Sequence, residues 1–289
     1  MKQRLLQLLV FVLLVGTWGF AEAEEHRDLG LKPLKLYDNF EQVPINPDKW
    51  FGDEFHFGGS FLDLARKTTQ EKHHLQILNR FYNQNNSDTG TSFGLFRLGF
   101  TRPDTITAIR SSVQVRNFES TGCALNPTPT LATAQIFGFF FNTNATVPGN
   151  ATNDVIAGVA MRRPSDSTAP LNVLEIFYFV GHCIDPNCVE SPFLGSGLLG
   201  TVTTGEWVSL LLQWDKGQHR FIFQRDRETP GVVRYQDGGL SFSDTAAPGV
   251  QLKTLGVDHF VANCATGPRP VGMIDALFDD VFVNKSAQP

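Results

Sequence analysis

The sequence predicts an all-β fold, an antiparallel sandwich of two sheets, and three observations carry the prediction. The 289 residues include 25 Phe and 26 Gly but only 3 Met. Phe suits a pleated, half-buried surface, and Gly suits tight turns. From Leu34 onward the chain breaks into short apolar runs, many of them alternating, separated by Gly, Pro, Asn, Asp and Ser. Such spacing is the pattern of a sandwich or barrel. Finally, no stretch keeps a helical period for three turns with caps at both ends.

Composition bounds the function classes. A hydrophobic share of 42% with 18% charged residues lets the chain bury one large core and excludes a disordered tail or coiled coil. The net charge of -5 and the lack of a basic stripe argue against nucleic acid as a partner.

The N-terminus reads as a signal peptide over residues 1–23. Lys2 and Arg4 form a basic start, Leu5 to Phe20 an apolar stretch, and Ala21-Glu22-Ala23 a small-residue cleavage site. No later segment is long and apolar enough for a helical membrane span. The expected product is secreted or periplasmic, with a polar lead-in over residues 24–33 and one domain over residues 34–285.

Within that domain the alternating runs sort residues into faces, because successive side chains of a strand point to opposite sides. Ile109, Val113 and Val115 share the core side of one run, leaving Arg110, Ser112, Gln114 and Arg116 outward. Leu174, Ile176, Tyr178 and Val180 point inward on a second run, and Glu175, Phe177 and Phe179 outward. On a third, Val208, Leu210, Leu212 and Trp214 oppose Trp207, Ser209, Leu211 and Gln213. The outward sides mix aromatic rings with polar groups, which suggests a sheet with an amphipathic outer face. The adjacent His73 and His74 would point to opposite faces of a strand and so would not chelate one ion together.

In an oxidising compartment Cys123, Cys183, Cys188 and Cys264 read as two disulfides. Cys183 and Cys188 bracket a Pro-Asn turn that could bring them together, which would leave Cys123 with Cys264. Spacing alone permits three pairings. A metal site on His182, Cys183 and Cys188 lacks a second close ligand pair. Glycosylation sequons begin at Asn85, Asn144, Asn150 and Asn284.

Three segments together resemble the concanavalin A-like lectin/glucanase superfamily. They are Asp38-Asn39-Phe40 followed by Trp50, Trp207 to Trp214 running into a hairpin, and Ala276-Leu277-Phe278-Asp279-Asp280-Val281 near the C-terminus. The resemblance spans essentially the whole mature chain. It implies a jelly roll of two curved sheets, one of them concave, with both termini near each other. It also implies a structural calcium ion, with Asp38 and Asp280 at the matching positions and Asp280 rather than Asp279 facing inward. No other cofactor is required.

The laminarinase-like branch carries an E-x-D-x-x-E strand, because retaining hydrolysis needs two carboxylates about 5 to 5.5 Å apart. The candidate strand here starts at Glu175, but Phe177 and Val180 replace the other two acids. A lone carboxylate cannot act as both nucleophile and acid/base. The expected function is therefore a non-catalytic module that binds polysaccharide or another extracellular polymer on the concave sheet. Its expected ligand residues are Glu175, Phe177, Trp207, Gln213, Arg110, Gln114 and Arg116, since rings stack on sugar C–H faces and planar polar groups fix hydroxyls. The alternatives are a glucanase-type hydrolase or lyase, with a second acid from Glu119, Glu206 or Asp226, and an interaction domain without a glycan ligand.

Overall fold

Fifteen strands make up the regular structure of the described residues. In chain order they are β1 (Leu34–Asp38), β2 (Trp50–Phe57), β3 (Ala65–Glu71), β4 (His74–Tyr82), β5 (Thr91–Phe100), β6 (Ala108–Ser120), β7 (Leu131–Asn142), β8 (Asp154–Pro164), β9 (Val173–His182), β10 (Phe193–Thr203), β11 (Trp207–Asp215), β12 (Arg220–Arg225), β13 (Gly231–Arg234), β14 (Lys253–Ala262) and β15 (Val271–Asn284). The computed structural model describes residues 30–57, 65–71, 73–83, 87–236 and 242–287. The expected signal peptide, residues 24–29 of the lead-in and the Asn85 sequon lie outside the described residues.

The strands form two antiparallel sheets. One is eight-stranded, in the order β13-β12-β11-β6-β15-β4-β3 with β1 also on β15; the other is seven-stranded, in the order β10-β9-β8-β7-β14-β5-β2. Pairing of β1 with β15, Leu34 opposite Asn284, joins the first strand to the last. This is the two-sheet layout that the concanavalin A-like resemblance implies.

The core lies between the sheets, and the inward residues are those that the alternation selects. Ile109, Val113, Val115, Leu174, Ile176, Val180, Val208, Leu210, Leu212 and Trp214 are all buried, and Tyr178 is partly buried where it stacks on Phe223 with ring centroids 4.7 Å apart. Aromatic rings fill the space near β11 and β12: Phe141 stacks on Trp214 at 5.2 Å and Phe140 meets Phe221 edge-on at 5.0 Å. Trp214 Nε1 donates to the Tyr235 hydroxyl, which donates to Asp244, so the polar edges of these rings are satisfied.

Alternation fails at one end of β11. Leu211 and Gln213 point outward, yet they are 6% and 0% exposed. The segment entering β1 covers Gln213: the Lys32 backbone N–H donates to Gln213 Oε1, and Lys32 Nζ donates to Thr107 and to the Trp214 carbonyl. Residue 32 is therefore tied down, and Gln213 is a structural acceptor rather than the open ligand residue expected.

Both disulfides form as the Pro-Asn turn suggests, Cys123 with Cys264 and Cys183 with Cys188. The Asn284 sequon is closed: its side chain is buried and bonded to Thr105, Thr107, Ala108 and Ser286.

Among the described residues, His259 is one of several buried polar side chains with an atom left without a hydrogen-bond partner. His259 points inward from β14, is 0% exposed, and neither ring nitrogen has a hydrogen-bond partner. Burial pushes its pKa down to about 3, and the Asn79 backbone offsets only part of this. Gly272 lies close beside it: a Cβ there would be 3.1 Å from His259 Nδ1, so the ring would have to shift slightly.

Two predictions follow from this packing. Below the ordinary histidine pKa of about 6.5 the unfolded chain takes a proton that the folded chain refuses, so His259 should cost about 2 kcal/mol of stability between pH 7 and pH 5. Urea unfolding at both pH values should show that loss shrinking by this amount in His259→Leu; equal losses in both proteins would refute it. The Cys123–Cys264 bridge closes a separation of 141 residues and the Cys183–Cys188 bridge one of 5. Replacing each pair by Ser should cost about 5 and about 2 kcal/mol respectively in the loop-entropy model, measured by denaturant unfolding.

Candidate functional site

The outer face of the seven-stranded sheet carries Glu175. Three rows of side chains cross it. Glu175, Arg162, Thr133 and Asp258 lie opposite one another on β9, β8, β7 and β14. The next row is Phe177, Ala160, Gln135 and Gly256, continuing to Arg97 on β5. The third is Phe179, Gly158 and Phe137.

Small residues let large ones lie flat. A Cβ on Gly158 would sit 2.7 Å from the Phe179 ring, and one on Gly256 would sit 2.5 Å from the Arg97 side chain. The result is an aromatic patch toward β10. Phe177 stacks near Phe179 with centroids 6.1 Å apart, and Phe193 approaches them at 6.0 and 5.4 Å while staying 56% exposed. The Arg162 guanidinium lies 3.4 Å from the Phe177 ring centroid, and its Nε is 3.3 Å from Glu175 Oε2. Burial lowers the Arg162 pKa, and the neighbouring Glu175 opposes that shift.

Deeper on the same face Arg97 and Asp258 form a buried pair. Arg97 donates through Nε at 2.8 Å and also through Nη2, and Gln135 donates to the same carboxylate. All three are less than a tenth exposed. Arg97 also lies over the Phe137 ring at 4.6 Å. Glu175 and Asp258 are three strand positions apart, which places their backbones about 14 Å from one another. The two carboxylates have different partners, and each is held by an arginine.

The expected ligand residues do not share this face. Only Glu175 and Phe177 lie here. Trp207 and Gln213 on β11, and Arg110, Gln114 and Arg116 on β6, belong to the eight-stranded sheet and point away on the opposite side of the molecule. Arg110 is engaged over the Phe282 ring at 4.4 Å, and Gln213 is buried. Trp207, Gln114 and Arg116 do come together. Alternation within a strand cannot tell the two outer faces apart, so the set was divided by sheet membership. Arg162, Phe179 and Phe193 complete the Glu175 surface. The alternating run over residues 155–163 contained Arg162, but its partner across β9 follows only from register.

The acids considered as a second carboxylate are placed elsewhere. Glu119 pairs with Arg80 at 3.8 Å on the eight-stranded sheet, Glu206 accepts from the Thr203 N–H, and Asp226 accepts from the Ser209 N–H.

Asp38 and Asp280 do not fit a calcium ion. Asp38 Oδ1 accepts from the Phe40 N–H at 2.9 Å and Oδ2 from Trp50 Nε1 at 2.7 Å, with Lys49 Nζ 3.8 Å away. Donors and a cation surround it, where a calcium site needs converging oxygens. Asp280 is exposed at a bulge with φ 47°, and Asp279, not Asp280, is the half-buried member of the pair. Among the described residues, Asp88, Cys123 and Cys264 form the metal-like cluster, but both sulfurs are spent in a disulfide. His182 lies near Thr143, at 3.2 Å, and takes part in no such cluster.

Fold and face together define a two-sheet sandwich with an aromatic and polar outer surface. No protein-family model and no curated protein matches the chain. Among solved structures it is similar to the catalytic domain of an endo-1,3-beta-glucanase (laminarinase) from Thermotoga petrophila RKU-1, at 12% identity over 88% of this chain and 100% of that chain, TM-score 0.46. It is similar to a structure described with endo-acting O-glycanases of the human gut microbiota, at 12% identity over 86% and 90%, TM-score 0.42. Lectin II from Ulex europaeus matches at 14% identity over 79% and 97%, TM-score 0.27. Likeness at this level says nothing of ligand or reaction.

Removing one partner of the buried pair leaves the other uncompensated. Arg97→Met should destabilise the protein by about 3 to 5 kcal/mol, read from urea unfolding; a loss within 1 kcal/mol would show that Asp258 finds another partner.

Proposed function

We propose that this chain is a secreted, non-catalytic carbohydrate-binding module whose ligand lies on the outer face of the seven-stranded sheet, over β8, β9 and β10. The observation that carries this reading is the state of Glu175. Its carboxylate faces the Arg162 guanidinium, which itself lies on the Phe177 ring, and Asp258 on that face is clamped by Arg97. A carboxylate beside a guanidinium accepts hydroxyl hydrogen bonds, whereas glycoside hydrolysis needs a second carboxylate working with the first. Phe177, Phe179 and the open Phe193 offer rings for the C–H face of a pyranose. Two disulfides suit an oxidising compartment, and cleavage after Ala23 would release the module there.

A glycan array with the chain from residue 24 onward should identify a binder. Isothermal titration with that glycan should then show affinity falling about tenfold or more in Phe177→Ala and Phe193→Ala. Release of reducing ends from soluble glucans, abolished by Glu175→Gln, would replace this reading with a hydrolase.

A further inference from the structure

The outer face of the eight-stranded sheet holds a second constellation. Trp207 on β11 lies opposite Gln114 on β6, which lies opposite Leu277 on β15, which lies opposite Gln76 on β4. One residue pair along, Asp279 on β15 meets His74 on β4, with His74 Nδ1 3.0 Å from Asp279 Oδ2. On the other flank Asp275 accepts from Arg116 Nη2 at 2.8 Å and from Gln76 Nε2 at 2.9 Å.

The Trp207 and His74 rings reach toward each other across β6 and β15. Their backbones are three strand positions apart, about 14 Å, yet the ring centroids are 5.0 Å apart. Leu277 points outward between them and is only 6% exposed. Its place in the register puts an apolar side chain between the strands that carry the two rings. Trp207 itself remains 40% exposed, so one side of the indole is open to solvent.

We propose that this surface is a second saccharide-binding site, in which the Trp207 indole stacks on a neutral pyranose while His74, Asp279 and Gln114 bind its hydroxyls. An exposed indole flanked by planar polar groups offers what a sugar ring presents, a C–H face and a rim of hydroxyls. Charge selects the class of sugar. Asp275 and Asp279 place two carboxylates on this flank, and the Arg116 guanidinium is already paired with Asp275, so a neutral chain fits better than a uronic or sulfated one. Gln114 Nε2 is engaged with the Gly205 carbonyl at 2.6 Å, which holds its amide plane beside the indole.

The site stands on its own geometry and does not depend on the Glu175 surface. If both operate, their opposite placement makes the protein bivalent. A short glycan on one sheet cannot reach the other, so two chains would be bridged.

Tryptophan fluorescence reads this site separately. Trp50 and Trp214 are buried, and Trp207 is the exposed tryptophan among the described residues. The chain from residue 24 onward would be titrated with neutral hexasaccharides of β-1,3-glucan, β-1,4-glucan, β-1,4-mannan and β-1,4-xylan, with hexagalacturonate as the anionic probe. At least one neutral probe should shift and quench the emission of wild type and of Phe177→Ala alike. The same probe should leave Trp207→Phe silent, bind His74→Ala about tenfold more weakly, and outcompete hexagalacturonate. Calorimetry should give one fewer site in Trp207→Phe, with its thermal midpoint unchanged. No fluorescence response to any neutral probe, a response that persists in Trp207→Phe, or preference for hexagalacturonate would overturn the proposal. Loss of heat in Phe177→Ala with the Trp207 signal intact would sustain the second site whatever becomes of the first.

Discussion

The pairing of β15 with three other strands organises the rest of the molecule. Residues 271–278 pair with β4, much of the strand also pairs with β6 on its other side, and its last residues pair with β1. Its inward residues Ile274, Ala276, Phe278, Val281 and Val283 are all buried. A strand this central must be hydrophobic on one side and hydrogen-bonded on both edges. Its register therefore sets where β6 and β4 stand, and with them everything on that sheet's outer face. The irregularity between Asp279 and Phe282 absorbs the change of partner. It leaves Asp280 outside with a left-handed backbone and turns Asp279 toward His74.

Charge on the two outer faces is organised rather than scattered. Arg97 with Asp258, Arg162 with Glu175, Arg116 with Asp275, and His74 with Asp279 each join neighbouring strands. The first of these is the most enclosed and therefore the most costly to break. The others are partly exposed and leave acceptor capacity for hydroxyl groups. Burial and neighbouring charge both act on a carboxylate pKa on such a face. Burial raises that of Asp279, and Asp280 adds to it, while His74 acts in the opposite direction. That balance places Asp279 in a less solvated position than a surface acid, next to an open indole.

Much of the fold was legible from residue pattern. The inward residues on β6, β9 and β11 followed from period 2, because a half-buried strand must separate apolar from polar positions. The short disulfide was suggested by the turn at Pro186-Asn187. The division between faces was not legible. Trp207 and Glu175 both read as outward residues of amphipathic strands, and nothing local says that their strands belong to different sheets. Gln213 also read as outward, correctly, but its burial comes from Lys32, 181 positions away in the chain.

By itself, then, the sequence determined the fold class, the side of each strand that meets the core and the residue types available for binding. These are properties of single strands and of composition. Tertiary structure alone decided which polar side chains meet. Arg97 reaches Asp258 across 161 positions, and His74 reaches Asp279 across 205. Such meetings depend on strand order and register, which long-range hydrogen bonding and packing between sheets select. Local alternation is the same for every strand order that buries the same faces.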